Sequence, residues 1–184
     1  MSAVLTRPQV IQARRHSGHP RVNSTMLGLL SKMTTVHIRI AELTDFETIA
    51  PLFDAYRKFY EQPADLALAT RFIHDRLEKN QSVIILASND DRQVLGFCQL
   101  YPTFCSIEAA PIYALYDLFV IPEARRSGAG KALLQAAERH AAQNGMARLD
   151  LTTAKTNVSA QSLYESLGWI QDDVYYAYSK RVEA

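Results

Sequence analysis

Val120-Ile121-Pro122-Glu123-Ala124-Arg125-Arg126-Ser127-Gly128-Ala129-Gly130-Lys131-Ala132-Leu133-Leu134 is the stretch on which the reading of this chain turns. An apolar strand runs into Pro122, a short polar loop follows, and the loop opens a helix. Gly128 and Gly130 let the backbone approach a ligand closely and take conformations closed to other residues. The N–H groups that begin a helix lack partners within it and carry partial positive charge. Arg125, Arg126 and Lys131 add full charges. The combination suits a phosphate or pyrophosphate. The plain alternative is an ordinary strand-to-helix turn with solvated charges. A Walker A loop would need Gly at 125 and Ser or Thr at 132, where the chain has Arg125 and Ala132. A dinucleotide fingerprint would need a third Gly at 133, which is Leu133.

Around this loop the elements follow from periodicity. Ile112 to Ile121 is a long apolar strand, and Gly128 to about Asn144 a helix closed by Gly145. Upstream, Val36 to Ile40 alternates like a half-buried strand. A helical pattern runs from Phe46 to Phe59, with Pro51 inside it predicting a kink or a break into two helices. A second helix is expected over Ala64 to Lys79. Ser82 to Ser88 is a continuous apolar run, as in a strand buried on both faces. Val94 to Tyr101 pairs with it as a hairpin across Asn89-Asp90-Asp91-Arg92, and Pro102 to Pro111 is expected as a loop. Downstream, Ala147 to Thr152 alternates, Asn157 to Leu167 is a short helix, and Trp169 to Lys180 gives one or two last strands. The order β-α-α-β-β-β-α-β-α-β argues a single α/β domain with a mixed sheet.

The chain has 184 residues and a net charge of +1. Residues 1–32 hold Arg7, Arg14, Arg15, Arg21 and Lys32 and no carboxylate; residues 33–184 then carry 15 Lys+Arg against 19 Asp+Glu, a net of −4. A body of that sign is a poor nucleic-acid binder, which would show a basic face. The basic segment, 1–34, has two readings. It resembles an organelle transit peptide, or it is an upstream extension with the start at Met33. The second is favoured, because Thr35 begins a strand with no linker. The remainder, 35–184, is one domain, with a core made possible by 48% hydrophobic residues. No apolar run approaches the roughly 18–20 residues of a membrane span. Cys98 and Cys105 suit buried thiols of a reducing compartment, the cytoplasm, and no Cys/His set suggests a metal site.

Arg125-Arg126-Ser127-Gly128-Ala129-Gly130 matches the acyl-CoA loop pattern Arg/Gln-x-x-Gly-x-Gly/Ala, and Asn157-Val158-Ser159-Ala160-Gln161-Ser162-Leu163-Tyr164-Glu165-Ser166-Leu167-Gly168-Trp169 matches Asn-x-x-Ala-x-x-Leu-Tyr-x-x-x-Gly-Phe/Trp. With these two motifs in this element order, residues 36–180 resemble the GNAT superfamily of N-acetyltransferases. The resemblance implies a mixed, mostly antiparallel sheet, splayed in a V between strands 4 and 5, with helices on both faces. It implies acetyl-CoA as co-substrate, held by the loop Arg125, Arg126, Ser127, Gly128, Ala129, Gly130 and Lys131. The fourth-strand residues Leu118, Phe119 and Val120 would lie along the pantetheine arm, with the backbone of Leu118 and Val120 pairing with it. Asn157 would add a contact, although a plain N-cap explains it equally.

By the same resemblance Tyr164 would protonate the departing thiolate, against the plain reading of a core aromatic beside Leu163 and Leu167. Asp117 would be the base or ammonium contact, against that of a structural carboxylate near a bulge. Tyr116-Asp117-Leu118-Phe119-Val120 also resembles the spermidine/spermine acetyltransferase branch, but Tyr116 stands where that branch has Glu, so one amine-binding carboxylate is missing. Tyr56, Tyr60, Glu61, Tyr101 and Glu108 are further candidates for the acceptor site. The expected function is acetyl transfer to a primary amine on a small molecule, a polyamine or an amino acid, with homodimerisation by family analogy. The alternatives are a non-catalytic acyl-CoA-binding module and a protein lysine or N-terminal acetyltransferase.

Overall fold

The structure, a computed structural model, describes residues 35–182; the basic segment 1–34 and the readings attached to it lie outside the described residues. Among the described residues the order is β1 (His37–Ile40), α1 (Phe46–Phe59), α2 (Leu66–Glu78), β2 (Val83–Ser88), β3 (Val94–Cys105), β4 (Ala110–Val120), α3 (Ala129–Gln143), β5 (Leu149–Leu151) and α4 (Val158–Ser166). The strands form one sheet in the order β1-β2-β3-β4-β5. Neighbours are antiparallel from β1 to β4, and β5 runs parallel to β4.

Both faces of this sheet are covered, which is why β2 is apolar without alternation. Ile84 and Leu86 pack against Ile49, Phe53, Ala69 and Ile73 of α1 and α2. Ile85 and Ala87 point the other way, towards Leu133, Leu134 and Ala137 of α3. Phe97 and Phe119 join the α1–α2 side, and Cys98 and Leu100 the α3 side. Burial pushes the Cys98 thiol up to about 12, so it stays a neutral core group.

One irregularity decides the site. Gln99 pairs with Asp117 but Leu100 pairs with Leu115, so Tyr116 is an extra residue in β4. An extra residue exchanges the two faces of a strand beyond it. Before the bulge, Tyr113 and Leu115 face α3; after it, Leu118 and Val120 do. Asp117 and Phe119 are thereby turned to the α1–α2 face.

Three expectations are corrected. Pro51 does not break α1, which runs as one helix from Phe46 to Phe59. The proline is exposed, and the buried residues Ile49, Ala50, Phe53 and Asp54 on either side anchor both turns to the core, which outweighs one missing hydrogen bond. The loop expected over Pro102–Pro111 is mostly strand: β3 reaches Cys105 and β4 begins at Ala110. β2 ends opposite Leu100, so beyond that point β3 is an edge, where proline is tolerated. The last strands expected over Trp169–Lys180 are not formed in the described residues. Asp172 Oδ1 accepts the N–H groups of Val174 (2.8 Å) and Tyr175 (3.1 Å), and so occupies donors that a ladder would need.

Gly96 lies directly against the backbone of β4, opposite Val120. A Cβ there would overlap the Phe119 carbonyl oxygen and come within 3.0 Å of Val120 Cα. Gly96→Ala therefore forces the strands apart, and a loss of roughly 1–3 kcal/mol is expected in denaturant unfolding. An unchanged midpoint would show that the strands are not held this tightly.

Candidate functional site

The site begins where the sheet opens. β5 pairs with β4 only from Tyr113 to Leu115, and β4 then continues to Val120 without it. The N–H of Ile121 donates to the Leu95 carbonyl at 2.9 Å, on the β3 side. Strand alternation therefore turns the N–H and C=O groups of Leu118 and Val120 to the opposite edge, which no strand covers. Phe119 differs from its two neighbours, since it points its backbone towards β3 and its ring into the α1–α2 core.

The loop beyond β4 has the geometry of an anion cradle. Arg126 takes φ +66° and Gly128 φ +92°, and Gly128 is the N-cap of α3. Left-handed residues among right-handed ones gather successive N–H groups on the concave side of the chain. Within this loop Ser127 N–H donates to Ala124 and Ala129 N–H to Ser127 Oγ (both 3.3 Å). The N–H groups of Arg126, Gly128, Gly130 and Lys131 have no acceptor among the described residues. Arg125 bends back, its Nε 3.4 Å from the Val120 carbonyl and its guanidinium 5.8 Å from the Phe59 ring centre. Gly130 serves packing: a Cβ there would lie 3.4 Å from Leu163 Cδ2 of α4.

On the α1–α2 face the bulged residues line a cavity of about 580 Å³. Its walls are Phe53 and Phe72, Arg76, the β3 segment Tyr101 to Thr103, and Ala114, Tyr116 and Asp117 of β4. Phe53 and Phe72 stack at 5.1 Å. Asp54 ties the helices together by accepting the Asp65 N–H at 2.8 Å. Asp117 is buried, and burial raises its carboxyl from the ordinary 3.8 to about 6, partly opposed by hydrogen bonding with the Tyr56 hydroxyl. That hydroxyl also donates to the Tyr116 carbonyl at 3.2 Å. Burial, with the Asp117 charge behind it, holds the Tyr56 phenol far above its ordinary value.

Tyr164 is half-buried on α4, 6.0 Å from the Trp169 ring, and does not line that cavity. Burial raises its phenol, Tyr60 adds to the rise, and hydrogen bonding with Thr153 opposes it. The charges of Asp117, Tyr60 and Tyr164 all act on Tyr56. Asn157 caps α4, its side chain accepting the Ala160 N–H at 3.3 Å. Of the other acceptor candidates, Tyr101 lines the cavity, Tyr56 touches its lining residues Phe53 and Tyr116, and Tyr60 packs behind Tyr56 at 5.1 Å. Glu61 is exposed at the end of α1, and Glu108 pairs with Arg148 at the far hairpin turn. Arg76 was not singled out from the sequence, since a single cation on a helix carries no local signal of the cavity it faces.

Residues 49–169 match the acetyltransferase (GNAT) family. The chain belongs to this family. It is 46% identical over 149 residues to the uncharacterized N-acetyltransferase YhfO of Bacillus subtilis (strain 168), covering 81% of this chain and 99% of that protein. The crystal structure of a probable acetyltransferase, 36% identical, superimposes with a TM-score of 0.75 over 80% of this chain and 99% of its own. An aminoglycoside N-acetyltransferase solved in complex with CoA shares the fold alone, at 21% identity and a TM-score of 0.68 over 84% of this chain and 100% of its own. The protein is thus a GNAT acetyltransferase, and the family's acyl donor is acetyl-CoA. No helix among the described residues is long and apolar enough to cross a membrane.

The Asp117 carboxyl sets a pH dependence of stability. Its folded pKa is raised, so its contribution is fully present below the unfolded value of 3.8 and is lost as pH rises through about 6. About two pKa steps correspond to roughly 3 kcal/mol. Asp117→Asn, which removes the charge but keeps the shape, is expected to be more stable than the parent at pH 8. That advantage should shrink to nothing by pH 4 in parallel thermal melts. A constant difference at both pH values would refute the burial argument.

Proposed function

We propose that this acetyltransferase moves the acetyl group of acetyl-CoA to a primary amine held in the cavity around Asp117. The observation that carries the reading is the edge of β4 at Leu118 and Val120, which no strand covers, lying between four free N–H groups of Arg126, Gly128, Gly130 and Lys131 on one side and a buried carboxyl on the other. Each part fits one part of the donor and acceptor. The free N–H groups of Arg126, Gly128, Gly130 and Lys131, with the loop's cations, fit a pyrophosphate. The edge of Leu118 and Val120 fits an extended amide-bearing chain that adds as a further strand. Asn157 fixes the start of α4 and with it the position of Tyr164. Bound in this way, acetyl-CoA supplies an acyl group already activated as a thioester.

The remaining work falls to this chain's own side chains. An alkyl amine of pKa about 10 arrives protonated and attacks only after losing a proton. The Asp117 carboxylate accepts that proton at its oxygen, and its raised basicity narrows the gap between the two groups. A backbone N–H on the free β4 edge faces the developing oxyanion. Tyr164 stays protonated throughout the neutral range because burial raises it, so its Oη–H is available to the leaving sulfur. Attack is direct, and the buried thiol of Cys98 takes no part.

CoA release from acetyl-CoA and a panel of amines tests the reading. Turnover is expected with at least one small amine, with kcat/KM rising with pH through about 6 as Asp117 ionises. Asp117→Asn should lose that ascending limb, and Tyr164→Phe should lower kcat by roughly 10²-fold while KM for acetyl-CoA is kept. Gly128→Val, which puts a β-branched residue at φ +92°, should raise KM for acetyl-CoA several-fold. Tight acetyl-CoA binding with no turnover on any amine would instead fit a non-catalytic binding module.

A further inference from the structure

Arg76 has an unusual position in α2. Its guanidinium lies 4.8 Å from the Phe72 ring centre and lines the same cavity as Asp117. Its Nε is buried and without a hydrogen-bond partner, and no carboxylate pairs with it among the described residues. Two cations nearby do pair with carboxylates, Arg57 with Asp54 at 3.4 Å and Lys79 with Asp75 at 3.5 Å. Arg76 is half-buried, and its one buried N–H lacks an acceptor that a ligand's anion would supply.

The cavity holds two charged side chains, Arg76 and Asp117, and no ion pair joins them among the described residues. Tyr101 lines the cavity with them: burial pushes its phenol up to about 12, Asp117 adds to the rise and Arg76 opposes it. The rest of the lining is aromatic or uncharged. The cavity therefore has one anionic and one cationic side chain in its lining, Asp117 and Arg76.

We infer that the acceptor is an amino carboxylate, its amine facing Asp117 and its carboxylate paired with the orphan guanidinium of Arg76. The inference rests on the amine-acetyltransferase reading and narrows its substrate class. A planar guanidinium takes a carboxylate in a two-point contact and is not interchangeable with an ammonium there. It also disfavours a polyamine, whose second ammonium would face Arg76. Tyr116 acts in the same direction, since it adds an uncharged wall where a second carboxylate would attract one.

Matched acceptors that differ only in the carboxylate test this: L-ornithine against putrescine, and L-lysine against cadaverine and lysine methyl ester. The wild-type enzyme is expected to prefer the free carboxylate in kcat/KM by about tenfold or more, because its absence leaves the Arg76 guanidinium without an anion. In Arg76→Gln that ratio should collapse towards one, and Arg76→Lys should restore part of it. Thermal melts of both variants check that the fold is kept. Preference for the diamines in the wild type, or an equal loss on both members of each pair in Arg76→Gln, overturns the inference while leaving amine acetylation standing. If no acceptor on the panel is turned over, calorimetric binding decides. Binding of ornithine or lysine that weakens in Arg76→Gln supports the amino-carboxylate site, and binding of neither overturns it.

Discussion

The extra residue in β4 is the constraint on which the rest of the site depends. A strand presents alternate side chains to alternate faces, so every position in β4 is committed once its pairing with β3 is set. Tyr116 breaks that commitment once. Were the same residues to alternate without the bulge, Asp117 would share the face of Tyr113 and Leu115 and be buried beneath α3, among aliphatic side chains that offer no partner to a carboxylate. With it, Asp117 opens into the aromatic cavity bounded by α1 and α2. The same shift turns Leu118 and Val120 onto the α3 core while their N–H and C=O groups reach the free edge.

That free edge has its own cause. β5 pairs with only three residues of β4 and then parts from it. The unpaired stretch would be a liability on a solvent-exposed edge strand. Here it leads directly into the Arg126–Gly128 turn, whose unpaired N–H groups extend the polar lining. Phe97 and Phe119 fill the α1–α2 side, and the close approach at Gly96 locks β3 to β4 beside the opening. The rigid part of the sheet thus holds the open part in place.

How much of this was legible in the chain depends on the range of the interactions involved. The glycine loop, the apolar run of β4 and the Asn157 cap are local, and all three are where the residue pattern puts them. Tyr164 could be named from its motif, and its half-buried place beside Trp169 accommodates both a core role and a proton-donor role. Pro51 misled because its cost of one hydrogen bond is small beside the packing of Ile49 and Phe53. Trp169–Lys180 misled because its alternation suits a strand, while the Asp172 carboxylate takes up two of the donors such a strand would use. Arg76 gave no signal, since its isolation becomes visible only when α2 is laid against β3 and β4.

The amino-acid sequence by itself determined the α/β class, the cofactor-type loop and the family, because each is written in short-range spacing of glycines, charges and apolar residues. Only the tertiary structure decided which face carries Asp117, where the sheet opens, and that Arg76 and Asp117 share one cavity. Those features follow from a one-residue register shift and from the packing of helices distant in sequence. Neither leaves a trace in local periodicity, because both arise from pairing between segments and not from the residues of any one of them.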